Sequence, residues 1–397
     1  MDMRNGDIRI EGGRALIGDR LESTSIHLAP AQGVVSAIGS DAPATRRIDA
    51  DGLLVLPGIV DIHGDAFERQ MMPRPGVDFA MDIALLDSDR QAVANGITTV
   101  FHGVTWSWEP GLRGPENART MLAALERLRP RLGADTRFHL RHETFNLEAE
   151  PEILQWLSER RIDLVAFNDH MLIADESSPR SKKLATMVER SGLTREAFLR
   201  LVDRVRARGN EVPASIERIA QAALAHGVPL LSHDDASPDQ RRWFRALGCR
   251  LAEFPTTLET AQEAAAHGDD IVLGAPNVVR GGSHIGWIDA KEMVGRGLCS
   301  VLASDYYYPA QLLAAFRLAD ENVLPLHAAW ALVSQTAAAA ARLTDRGTIA
   351  SGRRADLILV DTRHERPRVV ATIVAGRIVH LVEADRIMTS YTNPHND

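Results

Sequence analysis

The stretch Leu56-Pro-Gly-Ile-Val-Asp-Ile-His-Gly-Asp65 decides the fold, because it joins an apolar run to two polar side chains. The run from Leu53 to Ile62 is typical of a buried strand, and His63 and Asp65 stand at its end. Alternate residues of a strand point the same way, so this imidazole and carboxylate leave the strand together, as ligands of one divalent ion would. An isolated His-x-Asp is more often a polar turn, so the metal interpretation depends on the rest of the chain.

The composition favours a globular enzyme acting on a small molecule. The 397 residues are 45% hydrophobic and 25% charged, enough for one large domain and a smaller one. A net charge of -8 argues against nucleic acid as a partner, and no basic block predicts a membrane surface. The chain lacks an apolar run of about 20 residues and a signal-peptide pattern at its start, so we expect a cytoplasmic protein. Its oligomeric state is left open, with a homo-oligomer among the options.

The two ends of the chain share one pattern of short strands. Apolar segments separated by Gly, Pro and Asp occupy residues 8–56, and a matching set returns between residues 355 and 382. We therefore predict a small β-sandwich formed by both termini. The predicted domains are residues 1–56 and 350–397 for the sandwich and 57–349 for the part between them.

The middle of the chain alternates strand-like runs with helical periodicity, for example the helix predicted over residues 82–94. This alternation is typical of βα units around a parallel sheet. Eight such strands predict an α/β fold with a TIM-type (β/α)8 barrel, in which catalytic groups lie at the carboxyl ends of the strands. The predicted strands are 54–62, 97–102, 136–143, 162–169, 228–233, 250–254, 271–275 and 300–305.

Five of the eight predicted strand ends carry a possible metal ligand. Nitrogen and carboxylate donors together could hold two divalent ions about 3.5–4 Å apart. Zinc is the default because three histidines take part, and manganese or iron would also suit the mixture. The predicted ligands are His63, Asp65, Glu143, His170, His233 and Asp305.

Two carboxylates in this set have more specific predicted roles. Two ions need a bridging anion, and the only lysines, at 182, 183 and 291, lie away from the strand ends, so Glu143 is the predicted bridge. Asp305 is the predicted general base, because a carboxylate beside a bound water could take its proton and return it to the leaving group. The alternative for Asp305 is a helix N-cap.

Two loops rich in Gly or Pro supply candidate substrate-binding groups. Arg74 lies in the loop after the first barrel strand, and Asn277, Arg280 and His284 lie in the loop after the seventh. Backbone amides of such a turn, with a guanidinium beside them, suit a phosphate or phosphonate oxygen, so we expect an anionic substrate. Glu253 follows an apolar strand and ranks below these residues as a functional candidate.

Longer motifs carry a resemblance to a known family. They are His63-Gly-Asp-Ala-Phe-Glu-Arg69, Ser232-His-Asp-Asp-Ala236, Gly274-Ala-Pro-Asn-Val-Val-Arg-Gly-Gly-Ser-His284 and Leu302-Ala-Ser-Asp-Tyr306. Over essentially its full length the chain resembles the amidohydrolase superfamily. Within it, the chain is most similar to the α-D-ribose 1-methylphosphonate 5-triphosphate diphosphatases of phosphonate metabolism. The resemblance implies a hydrolase that removes pyrophosphate from the triphosphate arm of a ribosyl phosphonate.

The sequence departs from that family after His170, where residues 171–178 do not match the expected motif. Such a changed loop can give a substrate different from the family's while the metal chemistry stays. The first alternative is therefore an amidohydrolase that cleaves an amide, a cyclic amide or a lactone. The second is a metal-free homologue kept for assembly or regulation.

Overall fold

Both ends of the chain form two sheets beside the central domain in the computed structural model, which describes residues 6–74, 76–171, 182–282 and 289–389. The N-terminal strands are β1 (Ile8–Glu11), β2 (Arg14–Ile17), β3 (Arg20–Ser23), β4 (Ile26–Ala29), β5 (Val34–Ile38), β6 (Arg46–Asp49) and β7 (Leu53–Pro57). The C-terminal strands are β16 (Leu357–Asp361), β17 (Arg368–Val374), β18 (Arg377–Leu381) and β19 (Ile387–Thr389).

The two sheets are built by strands from opposite ends of the chain. One has the strand order β19-β6-β1-β4-β5, and the other has the order β18-β17-β16-β7-β2-β3. The pairs β6–β19 and β7–β16 are antiparallel and join the two termini directly. The predicted shared sandwich is therefore confirmed. The sequence does not reveal β3, because its side chains are mostly exposed and lack apolar alternation.

Eight parallel strands form the barrel, and each pairs with the next along the chain. An isolated bridge between Gly64 and Asp305 joins the two edges of this sheet, so the ring closes. The predicted TIM-type barrel is confirmed. Its strands are β8 (Ile59–Gly64), β9 (Ile97–Trp106), β10 (Asp135–Glu143), β11 (Leu164–Asn168), β12 (Leu230–His233), β13 (Leu251–Glu253), β14 (Asp270–Gly274) and β15 (Val301–Ala303).

The predicted strand 54–62 is in fact two strands. Its first half is β7 in the sandwich, and its second half is β8 in the barrel. The break falls at Pro57 and Gly58, since proline has no N–H for a ladder and Gly58 lies against Thr98. A Cβ added at Gly58 would lie 2.2 Å from Oγ1 of Thr98, so only glycine lets the chain pass from one sheet to the other there.

Helices surround the barrel between successive strands. Those before β12 are α1 (Glu68–Met71), α2 (Met81–Ala94), α3 (Pro115–Leu128), α4 (Glu150–Ser158), α5 (Lys182–Ser191), α6 (Arg195–Arg206) and α7 (Val212–Ala225). The later ones are α8 (Pro238–Ala246), α9 (Leu258–Ala266), α10 (Ala275–Arg280), α11 (Ala290–Gly295), α12 (Ala310–Asp320), α13 (Leu326–Ala331) and α14 (Gln335–Ala340). The helix predicted over residues 82–94 corresponds to α2.

Branched and small side chains fill one core inside the strands. Val60, Phe101 and Val272 belong to a buried cluster that also includes Ala337 and Ala341. Ala337, in α14, and Ala341, just after it, let this helix pack closely against β8 and β15. This core supports the strand ends, where the polar residues stand.

Candidate metal centre

The carboxyl ends of the barrel strands carry the six predicted metal ligands. His63, Glu143 and His233 lie in the last residues of β8, β10 and β12. Asp65, His170 and Asp305 follow their strands within two residues. The barrel thus presents all six on the side where such folds place their chemistry.

One group of donors joins the two strands at the closure of the barrel. One ligand atom each from His63, Asp65 and Asp305 lie within 4.8 Å of one another. Backbone hydrogen bonds hold the three together, because the N–H of Asp65 donates to the Asp305 carbonyl and the N–H of Asp305 donates to the His63 carbonyl, both at 2.9 Å. Asp305 has a φ of 55°, a left-handed conformation that costs free energy and is common at functional sites.

A second group shares His63 with the first. Ligand atoms of His63, His233 and Glu253 also lie within 4.8 Å of one another. Nδ1 of His63 lies 2.7 Å from Oε1 of Glu253, and both side chains are buried. The sequence ranked Glu253 low, since its only signal was a carboxylate after a short apolar strand.

Glu143 and His170 pair with each other instead of joining either group. Oε1 of Glu143 contacts Nδ1 of His170, and Oε2 accepts a hydrogen bond of 3.2 Å from the His170 backbone N–H. Burial raises the pKa of Glu143, but the His170 ring and these hydrogen bonds outweigh it and bring the pKa to about 2. The rings of His170 and His233 are 6.4 Å apart, so the pair borders the second group. The bridging role of Glu143 stays a prediction.

Arg141, in β10, is the residue at this site that sequence reasoning missed. Its Nη1 donates a hydrogen bond of 3.0 Å to Oδ2 of Asp65, and its Nη2 lies 3.2 Å from Nε2 of His233. The side chain is only 5% exposed, so a fixed positive charge lies among the donors. A strand-end arginine looks like any other arginine in the sequence, and only the fold shows that it points between these two side chains.

The donors suit a divalent ion. Burial and the charge of Arg141 lower the pKa of His63 well below its usual range, so the ring is neutral, as a metal ligand must be. Nε2 of His63 is buried and has no hydrogen-bond partner among the described residues. A neutral imidazole beside two carboxylates fits zinc, manganese or iron.

Comparisons with known proteins agree with this geometry. Residues 197–380 match the model of an amidohydrolase family. The α-D-ribose 1-methylphosphonate 5-triphosphate diphosphatase of Escherichia coli K12 is 36% identical over 329 residues, which cover 81% of this chain and 86% of that protein. The chain belongs to this diphosphatase family of the amidohydrolase superfamily.

Solved structures confirm the amidohydrolase fold. A D-hydantoinase from Bacillus sp. AR9 aligns with a TM-score of 0.64 at 14% identity, covering 94% of this chain and 95% of its own. Molinate hydrolase aligns with a TM-score of 0.64 at 15% identity and covers 99% of both chains. At these identities the likeness shows the fold alone. As a member of the diphosphatase family, the chain is a metal-dependent hydrolase.

The general base predicted for this hydrolase lies in a strongly charged environment. Burial raises the pKa of Asp305 well above its usual value, and the charge of Asp65 raises it further. Arg141 opposes both effects. A bound cation would act in the same direction as Arg141 and favour the ionised, proton-accepting form.

The predicted substrate-binding residues have different positions. Arg74 and Arg280 are exposed, on segments that follow β8 and β14 at the carboxyl edge of the barrel. Asn277 is partly buried, and its Oδ1 accepts a hydrogen bond of 3.3 Å from the N–H of Ala290 at the start of α11. His284 lies outside the described residues, as does the segment after Met171 where the sequence departs from the family. Among the described helices, none is long and apolar enough to cross a membrane.

Proposed function

We propose that this diphosphatase-family member hydrolyses the triphosphate arm of α-D-ribose 1-methylphosphonate 5-triphosphate, or of a related phosphorylated ribosyl compound, and releases pyrophosphate. The observation that carries the proposal is the placement of a buried guanidinium, Arg141, within hydrogen-bond distance of Asp65 and His233 in the donor cluster. Metal donors beside a fixed positive charge suit a polyanionic substrate better than a neutral amide. The name of the E. coli relative, α-D-ribose 1-methylphosphonate 5-triphosphate diphosphatase, contains such a substrate.

His63, Asp65 and Asp305 would hold the divalent ion, with His233, Glu143 and His170 as further predicted ligands. When bound, the ion makes water a stronger nucleophile at neutral pH and neutralises charge on the phosphoryl oxygens. Glu253 keeps the ring of His63 oriented through the bond to Nδ1. Zinc is the metal we would test first, followed by manganese and iron.

Asp305 would move the proton. One of its carboxylate oxygens lies within 4.8 Å of ligand atoms of His63 and Asp65, so Asp305 can reach a water molecule held between these residues. Asp305 takes one proton as the water oxygen bonds to phosphorus. The anhydride bond between the first and second phosphoryl groups then breaks, and the proton of Asp305 neutralises part of the charge on the departing pyrophosphate.

The surrounding cations would bind the triphosphate arm. Arg141 can donate to a phosphoryl oxygen next to the reacting atoms. Arg74 and Arg280 are exposed, and each follows a strand whose carboxyl end borders the site, so they are proposed to bind the outer phosphoryl groups. Asn277 and His284 are proposed as further substrate contacts.

The test is pyrophosphate release from α-D-ribose 1-methylphosphonate 5-triphosphate by the metal-loaded protein, with Asp305→Asn as the paired variant. We expect release by the wild type and a loss of about 10²-fold or more in the variant. A metal-loaded wild type that leaves this substrate and ribose 5-triphosphate intact would refute the proposal. A panel of amides, cyclic amides and lactones, run in parallel, would then identify the alternative activity.

A further inference from the structure

The two donor groups cannot both hold a metal ion with the hydrogen bonds that the structure contains. They share His63, whose Nδ1 lies 2.7 Å from Oε1 of Glu253. That nitrogen carries a proton to donate to the carboxylate, so only Nε2 keeps a lone pair for a metal. One lone pair serves one ion, and Glu253 acts as the acceptor that orients the ring.

Arg141 occupies another donor atom of the second group, His63, His233 and Glu253. Nη2 of Arg141 lies 3.2 Å from Nε2 of His233, and a guanidinium can only donate, so this imidazole nitrogen is the acceptor. Its lone pair is therefore directed at the arginine. All three residues of the group His63, His233 and Glu253 thus take part in hydrogen bonds, and Oε2 of Glu253 stays without a partner in the described part of the chain.

The first group keeps its donors. Nε2 of His63 has no hydrogen-bond partner among the described residues. Asp65 accepts the hydrogen bond of Arg141 through Oδ2, so within the described part of the chain its Oδ1 is left for a metal. Asp305 reaches the same place from the opposite edge of the barrel closure.

The predicted bridge between two ions is also engaged elsewhere. Two divalent ions about 3.5–4 Å apart need an anion between them to offset their repulsion. Glu143, the predicted bridging carboxylate, uses both oxygens on His170. The positive charge beside Asp65 and His233 is instead the guanidinium of Arg141.

We propose that Arg141 takes the place of a second metal ion, so that the barrel binds one divalent ion on His63, Asp65 and Asp305 and the guanidinium supplies the second positive charge. This replaces the sequence-based prediction of two ions and makes His233 a partner of Arg141 instead of a ligand. That the guanidinium acts on a phosphoryl group rests on the function proposed above. The metal stoichiometry does not.

Metal content tests the stoichiometry without any substrate. Wild-type protein titrated with Mn²⁺ should bind one ion per chain by elemental analysis, with the electron paramagnetic resonance spectrum of an isolated ion. Arg141→Met should bind a second ion without using His63, because Nε2 of His233 is released. Oε2 of Glu253 lies 3.9 Å from that nitrogen and has no hydrogen-bond partner among the described residues. Arg141→Lys, which keeps the charge, should bind one.

Three results would overturn the proposal. They are two exchange-coupled ions in the wild type, one ion in both the wild type and Arg141→Met, and loss of the tightly bound ion in His233→Asn. His233→Asn keeps the test decisive if Arg141→Met does not fold. If His233 is a partner of the guanidinium and not a metal ligand, its replacement leaves the metal bound. Melting curves would establish that each variant is folded.

Kinetics test the second half of the proposal. If the wild type releases pyrophosphate, Arg141→Met reloaded with metal should lower kcat by about 10²–10³-fold, with Arg141→Lys in between. An unchanged kcat in Arg141→Met would refute the charge-stabilising role. If the wild type shows no such activity, the proposed function fails, while the ion count still decides the stoichiometry.

Discussion

Two hydrogen bonds between Asp61 and Ser304 join the first barrel strand to the end of the last. Oδ1 of Asp61 accepts a hydrogen bond of 2.9 Å from the backbone N–H of Ser304, and Oδ2 accepts one of 2.6 Å from its hydroxyl. Both residues are buried, and they lie beside the donors His63 and Asp305 in sequence. The closure of the barrel and the geometry of the metal site therefore depend on the same carboxylate.

The charge on Asp61 should make stability depend on pH. Burial raises the pKa of Asp61 from 3.8 to about 6, although the Ser304 hydrogen bonds lower it. The folded state therefore favours the protonated form of Asp61. Protonated Asp61 contributes its full stabilisation of the fold below pH 3.8, and this contribution is lost as the pH rises through about 6. Relative to Asp61→Asn, wild-type protein should lose up to about 3 kcal/mol of unfolding free energy between pH 4 and 7.

Urea unfolding of both proteins over this pH range, in EDTA so that metal binding does not contribute, measures the difference. Asp320→Asn, which changes an exposed carboxylate, is the control and should run parallel to the wild type. A constant difference between wild type and Asp61→Asn at all pH values would contradict the assignment.

Glu253 should control metal affinity through the orientation of His63. In Glu253→Gln the charged acceptor at Nδ1 is lost, and the ring becomes a weaker ligand. We expect metal affinity to fall by about 10–100-fold, measured by competition with a chromogenic chelator. Glu259→Gln, on the exposed face of α9, should leave the affinity unchanged. Equal affinity in Glu253→Gln and the wild type would show that the buried pair does not support the metal.

Metal binding itself should stabilise the fold. Asp65 and Asp305 are close enough to repel each other, and a cation between them removes this repulsion. At a free metal concentration of about 100 times Kd, mass action adds about 2.7 kcal/mol to the unfolding free energy. Thermal melts with and without EDTA should show a higher Tm for the metal-loaded protein. No metal-dependent change in Tm, in protein shown to bind the ion, would contradict this expectation.

The sequence predicted most of the barrel because strand alternation and buried runs are local patterns. The positions of His63, Asp65, His233 and Asp305 followed, since a residue at the end of a parallel strand must lie at the carboxyl edge of the sheet. Contacts across the mouth are not local. The bond between His63 and Glu253 joins residues 190 positions apart, and the placement of Arg141 depends on which face of β10 points inward.

The split of the predicted strand 54–62 was missed for a related reason. Both halves are apolar and buried, so hydrophobicity runs through the break, and only the pairing of β7 with β16 separates the two sheets. Proline and glycine at the junction were the available signal. In the same way, the pairing of Glu143 with His170 depends on the loop after β11, which no strand pattern fixes.

Arg241 provides the clearest test of a buried charge outside the metal site. Its side chain is fully buried on α8, where Nη1 lies 3.1 Å from Oδ2 of Asp235 and Nε lies 3.4 Å from Oδ2 of Asp269. The same guanidinium donates to the carbonyl of Cys249 at 2.6 Å. It therefore ties the turn after β12, which follows His233, to the start of β13 and the loop before β14.

Truncating this side chain should be costly, because Asp235 and Asp269 would remain buried with less compensation. We expect Arg241→Met to lower the unfolding free energy by about 3–5 kcal/mol, measured by urea denaturation. Its neighbour Arg242 offers a matched control, since it makes ion pairs with Asp239 and Glu263 but is about half exposed. Exposed ion pairs contribute little, so Arg242→Met should cost less than about 1 kcal/mol. Equal losses in the two variants would mean that burial does not set the strength of the Arg241 network, because the two substitutions differ mainly in exposure.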